Sequence, residues 1–255
     1  MAPDGQTERH SATQPTSSSS IAPKSTGAVQ LEHCYYCFDV LEAELNSSSR
    51  TNGHRSRTSS SSAAAEVQAH FENGDEEFPL FVTWNIYPSS AVLPFKRKSG
   101  LRLRGCIGTF SPLPLAEGLR DYALTSALHD TRFNPIRTDE MPRLECGVSL
   151  LTEFEECENY LDWELGTHGI YIYLTNPHKS SSRSTLTATY LPDVAPEQGW
   201  SKTEAIDSAI QKAGWNGPVD EAMRLGLRVK RYQSEKISCT FEEWQVWKNG
   251  GAAEA

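Results

Sequence analysis

The residues best suited to chemistry lie together in Leu103-Arg104-Gly105-Cys106-Ile107-Gly108-Thr109-Phe110. A glycine inside a strand weakens it by roughly 0.5–1 kcal/mol. Gly105 and Gly108 therefore point to tight turns, or to close approach by a ligand or by other backbone. A cysteine attacks as its thiolate, and Arg104 lowers the thiol pKa where both side chains reach one cleft. Free cysteine is also among the most buried residue types, so a core residue packed under a helix is the plain alternative for Cys106.

A nucleophilic Cys106 needs a base, and His168 in Gly166-Thr167-His168-Gly169 is the histidine best placed by its glycines to face a cleft. A surface-loop histidine fits the same residues. His129-Asp130-Thr131-Arg132-Phe133 offers Asp130 and Arg132 as an ion pair that positions a loop, and Arg132 joins Arg104 as an anchor for an anionic ligand. Gly105 and Gly108 complete the predicted ligand-binding set. Cys34-x-x-Cys37 is half a zinc pattern with no second CxxC or HxxxH, so its spacing fits helix packing better and no metal site is assigned. The run Glu153, Glu155, Glu156 and Glu158 fits a solvated face. No phosphate-binding fingerprint is present, and nothing calls for a cofactor.

These residues need elements to hold them. Leu80 to Ile86 alternates and is rich in β-branched and aromatic residues, which predicts a strand. Leu101 to Ile107 is a second strand. Leu115, Leu119, Tyr122, Ala123, Ser126 and Ala127 form a helical stripe, entered through Pro112 and Pro114. Leu144 to Phe154 alternates as a strand, and Gly169–Leu174 with Thr185–Leu191 makes a hairpin. Ser201-Lys202-Thr203-Glu204 is a capping box that opens a helix ended by Gly214. Leu225 to Arg231 is strand-like, and Phe241 to Trp247 is a short helix. Cys34, Phe38, Leu41 and Leu45 recur at helical spacing and predict a helix docked on the body. Without regular βαβ alternation, the pattern favours α+β with a mainly antiparallel sheet.

The chain has 255 residues, a formal charge of −9 and 38% hydrophobic residues. Most of its polarity lies in serine-rich stretches: residues 1–29 form an expected disordered tail, and 46–76 a flexible insertion in a domain spanning 30–248. Residues 249–255 are an expected flexible end. The acidic balance disfavours nucleic acid unless Lys96-Arg97-Lys98 and Arg228, Lys230 and Arg231 converge on one face. No apolar run reaches the roughly 20 residues of a membrane-spanning helix. Six cysteines without a secretory signal read as thiols in a reducing compartment.

Several of these segments together resemble the AMMECR domain: Phe81-Val82-Thr83-Trp84, the Arg104-Gly105-Cys106-Ile107-Gly108 signature, and Leu119 through Leu128. Val148-Ser149-Leu150-Leu151, His168-Gly169-Ile170, Thr189 through Ala195 and Arg231 through Lys236 extend the likeness over roughly residues 31 to 248. The resemblance implies a two-lobed α+β fold with the signature cysteine near an interlobe cleft. It also implies an intracellular protein with a regulatory or scaffolding role.

Two functions compete on these residues. One is a regulatory domain that binds a small molecule or a protein in its cleft. The other is an enzyme with Cys106 as nucleophile, His168 as base, and Arg104 and Arg132 holding an anionic substrate.

Overall fold

The computed structural model describes residues 27–51, 67–88, 100–175 and 185–250. Residues 1–26 of the expected tail, 52–66 of the expected insertion, the basic segment Lys96-Arg97-Lys98 and residues 251–255 lie outside the described residues, whereas in 67–76 Val67, Ala69 and Phe71 pack against the core.

The order of elements is α1 (Leu31–Thr51), β1 (Glu77–Ile86), β2 (Arg102–Pro114), α2 (Leu115–Leu128), β3 (Leu144–Glu156), β4 (Gly169–Thr175), β5 (Thr185–Tyr190), α3 (Val194–Gln198), α4 (Lys202–Lys212), α5 (Glu221–Leu225), β6 (Arg228–Thr240) and α6 (Phe241–Lys248). A 3-10 turn, Thr138–Arg143, precedes β3. The strands form one six-stranded sheet in the order β2-β1-β3-β6-β4-β5, antiparallel throughout. This is the expected α+β class.

Three boundaries differ from the sequence reading. Helix α1 continues to Thr51, past the start expected for the insertion, and Val29 is buried rather than part of a free tail. Strand β2 runs through Pro112 to Pro114, which an edge strand tolerates because an outward-facing proline deprives no neighbour of a hydrogen bond. Strand β6 begins at Arg228 and extends to Thr240, while Leu225 closes the short helix α5. Polar residues predominate along β6 from Gln233 to Ser238, while Tyr232 on the concave face is fully buried.

Two hydrophobic cores divide the covered side of the sheet. In the first, α1, α2 and α6 pack on Leu80, Val82, Trp84, Cys146, Val148 and Cys239. In the second, Ala205, Ile206, Ala209 and Ile210 of α4 pack on Ile170, Ile172, Ala188 and Val229. Val229 and Cys239 are an even number of residues apart on β6, so strand alternation places both cores on the same side. The capping box of α4 forms as expected: Ser201 accepts from Glu204 N–H, and Glu204 accepts from Ser201 N–H at 2.8 Å.

The opposite face curls in on itself. Phe110 of the edge strand β2 lies 5.7 Å from the ring of Tyr171 on β4 and 5.8 Å from that of Tyr232 on β6. Phe81 packs on Phe110 at 5.3 Å. The curl brings non-neighbouring strands together and creates the concave surface on which the candidate site lies.

Candidate functional site

Cys106 sits on this concave face, directly opposite Thr83 of β1. It is half-buried, and the Thr83 hydroxyl donates to its sulfur at 3.1 Å. The two line a cavity of about 320 Å³ with Asn85, Glu145, Ser149 and Lys236, with Ser238 and Leu191 also on its walls. Strand pairing explains this set. Gly147 and Ser149 of β3 stand opposite Thr83 and Phe81, and Ser238 and Lys236 of β6 stand opposite them in turn. Lys236 is ion-paired with Asp193, in the segment that follows β5. Glu145 accepts from Asn85 Nδ2 at 3.3 Å and from the Tyr87 hydroxyl at 3.1 Å. The cavity therefore combines a thiol, three hydroxyls, an amide, a carboxylate and an ammonium on rigid strands.

The backbone of Cys106 is fixed from outside the sheet. An edge strand leaves outward N–H and C=O groups unpaired. Here Asp130 Oδ2 accepts from Cys106 N–H at 2.9 Å, and Arg132 Nη2 donates to the Cys106 carbonyl at 2.9 Å. Arg132 grips Asp130 through Nε at 2.9 Å and Nη2 at 2.7 Å, and its own N–H donates to Oδ1 at 3.2 Å. These hydrogen bonds, from Arg132 above all, hold the buried Asp130 carboxyl well below the usual carboxylate range. The ion pair expected to position a loop thus also clamps the strand that carries the thiol.

Arg104 is placed differently from the sequence expectation. Its Nε and Nη2 donate to Glu140 at 2.9 and 3.0 Å, and Nη1 and Nη2 donate to the carbonyls of Asn134 and Pro135 at 2.6 and 3.1 Å. That network ties β2 to the 3-10 turn and to the chain just before it. The two glycines serve packing. A Cβ on Gly105 would stand 1.9 Å from the Ser126 carbonyl oxygen, so α2 lies against β2 only because no side chain intervenes. A Cβ on Gly108 would stand 2.4 Å from the Phe81 ring and 2.3 Å from the Leu80 carbonyl oxygen. Of the two approaches glycine allows, the structure shows that of other backbone at both positions, joined at Gly108 by the Phe81 ring.

His168 is not brought to Cys106. Its Nδ1 accepts from Glu164 N–H at 2.9 Å ahead of β4, and it does not line the Cys106 cavity. The basic residues of β6 are each engaged: Arg228 lies over Tyr173, Lys230 pairs with Glu156, and Arg231 with Glu155 and Asp162.

Sequence reasoning missed Lys236, Ser149 and Ser238, because their grouping depends on the β1-β3-β6 order. It also missed the company kept by Cys34 and Cys37. Cys146 and Cys239 are register partners on β3 and β6, and from α1 the Cys34 thiol donates to the Ile237 carbonyl at 3.7 Å and the Cys37 thiol to the Leu119 carbonyl at 4.0 Å. All four are buried in the first core. Burial pushes the Cys146 thiol up, and the neighbouring Cys34 thiol together with burial pushes Cys239 up. Among the described residues, no group of three or more His, Cys, Asp or Glu side chains is arranged to hold a metal ion.

A curled antiparallel sheet with two helical cores behind it and a thiol on its open face defines the class of this protein. The AMMECR1 family profile matches residues 34–237, and the chain belongs to that family. It is 43% identical to an uncharacterized protein of Arabidopsis thaliana over 213 residues, 84% of this chain and 86% of the relative. An uncharacterized protein of Saccharomyces cerevisiae is 34% identical over 223 residues, 82% of this chain and 86% of the relative. In fold, the chain is similar to the crystal structure of an uncharacterized protein from Pyrococcus horikoshii, at TM-score 0.52 and 24% identity over 81% of this chain and 91% of that one.

Proposed function

We propose that this AMMECR1-family chain is a regulatory domain that binds a small polar ligand in the Cys106 cavity. The observation that carries this reading is the lining: donors and acceptors of five chemical kinds converge on one concave wall, and the Asp130–Arg132 pair holds its edge strand in place. Ligand sites are concave, pre-formed and furnished with a few fixed polar groups, and about 320 Å³ is at the small end of their range. Lys236 and Glu145 give the cavity both signs of charge, which fits a ligand that itself carries both hydrogen-bond donors and an anionic group. All six cysteines are free, which fits a reducing compartment, the cytoplasm or nucleus. No helix among the described residues is long and apolar enough to cross a membrane.

A second reading, an enzyme with Cys106 as nucleophile on an anionic small molecule, draws on the same thiol facing Lys236 across the cavity. Its base would then be sought among the cavity residues, since His168 bonds to Glu164 N–H instead.

Both readings meet one experiment. The chain is equilibrated with a protein-free extract of cellular small molecules, re-purified and denatured, and the released molecules are identified by mass spectrometry. Binding predicts a molecule enriched by the native chain and lost in Ser238→Trp, which fills the cavity; no enrichment, or equal enrichment by both, contradicts it. Conversion of that molecule, abolished by Cys106→Ala while its binding persists, would favour the enzyme.

A further inference from the structure

A second and larger cavity, about 740 Å³, opens beside Phe110 at the other end of the curled sheet. Its aromatic wall is continuous: Phe110 meets Tyr171, and Tyr171 lies 4.9 Å from Tyr173. Phe154 adds a further ring, stacked on Tyr232 at 5.0 Å and still 41% exposed. A groove of rings this size is built to take up something flat or apolar.

Its charge narrows the choice. Glu77, Glu153 and Glu235 all line the groove. Glu77 and Glu153 make no ion pair among the described residues, and Glu235 accepts the Val29 N–H at 3.3 Å. The lysine in the lining, Lys230, is already paired with Glu156 at 3.2 Å. The groove thus presents π-faces and uncompensated carboxylates together, the combination that attracts a cation able to lie flat on a ring.

The protein already makes this contact on one ring of the groove. The guanidinium carbon of Arg228 lies 3.9 Å from the centroid of the Tyr173 ring. The backbone beside the groove is held in an uncommon state as well: Glu153 has φ 53°, the left-handed region, at the bulge where the β3–β6 register shifts. Such a conformation is unfavourable for a non-glycine residue and persists mainly where its surroundings require it. Here it turns Glu153 and Phe154 to the groove.

We propose that this groove docks an arginine-bearing segment of a partner protein, with the guanidinium stacked on Tyr171 and Phe110 and paired with Glu153 and Glu77. Arginine suits the site better than lysine because its planar group stacks on a ring while its edge bonds a carboxylate. The overall charge of −9 would draw a basic segment in and make its association sensitive to salt. This docking site is separate from the Cys106 cavity and does not depend on what that cavity holds.

The test is fluorescence anisotropy of a labelled Gly/Ser peptide carrying two arginines, titrated with the full chain. Saturable binding is expected. It should weaken about threefold to tenfold in Tyr171→Leu, which keeps an apolar side chain but removes the π-face. Glu77→Gln combined with Glu153→Gln, both at exposed positions, should weaken it similarly and flatten its salt dependence. A peptide with glutamates in place of the arginines should not bind. The proposal is overturned if the arginine peptide fails to saturate, or if both sets of variants bind it as tightly as the native chain. It is equally overturned if arginine amide alone binds as tightly as the peptide, since the groove would then take a small cation rather than a protein segment.

Discussion

The two faces of the sheet are built from alternate residues of the same strands and do different work. On β1, Leu80, Val82 and Trp84 point into the first core and are fully buried, while Phe81 and Thr83 point to the concave side. The cysteines divide the same way. Four of them lie behind the sheet among apolar side chains, and Cys106 lies in front of it beside the Thr83 hydroxyl, on the wall of a polar cavity. A shift of one residue along any strand would exchange the two sets. Stability and chemistry therefore share one register, and anything that moves β1 or β2 should be felt on both faces.

The sharpest way to break this division is to truncate the covered face. Trp84 is fully buried, stacks edge-on against Phe38 at 5.0 Å, and donates from Nε1 to the Ala123 carbonyl at 3.0 Å. Trp84→Ala should cost about 3–5 kcal/mol, and Leu119→Ala about 2–5 kcal/mol, the range for buried large side chains. Chemical denaturation measures both, and an unchanged midpoint for either would place it outside the core.

Gly105→Ala probes the contact between the faces. The new methyl would meet the Ser126 carbonyl, a backbone atom that cannot swing aside, so α2 or β2 must move. A loss of about 3 kcal/mol is expected, the upper part of the overpacking range. If stability is unchanged, α2 does not rest on β2 as described.

Asp130→Ala removes the clamp on the chemical face, where hydrogen bonds to a charged group contribute about 1.5–3 kcal/mol. The sign of its pH dependence follows from the lowered carboxyl pKa. Because the folded value lies below the unfolded one of about 3.9, the contribution is complete above that pH and is lost as pH falls toward the folded value. The stability gap between native chain and variant should stay level from neutral to mildly acidic pH and narrow below about pH 4. A gap that widens in acid would contradict the pairing with Arg132.

Much of the covered face was legible in sequence because burial leaves a periodic trace. The alternation of β1, the stripe of α2 and the capping box at Ser201 each have a local cause. The concave face left less trace. Around Cys106 its residues are hydroxyls and charges, which locally resemble a solvated strand, so the sequence pattern carries β6 only to Arg231 although it continues to Thr240. That Cys106 shares a cavity with Lys236 and not with His168 depends on the strand order β2-β1-β3-β6, which no local pattern carries. Cys34-x-x-Cys37 was legible as a helical spacing, but its neighbours Cys146 and Cys239 arrive from distant strands.

The most direct test of the division between faces is the order in which the thiols react. The native chain is treated with limiting iodoacetamide at neutral pH, and each cysteine peptide is quantified by mass spectrometry. Cys106, half-buried at a cavity wall, should be alkylated first. Cys157 should follow, since burial pushes its thiol up to about 11 and leaves little thiolate at that pH. Cys34, Cys37, Cys146 and Cys239 should label only when the protein is unfolded. Labelling of any of those four before Cys106 in the folded chain would contradict the account, because it would place a reactive thiol behind the sheet and a packed one in front.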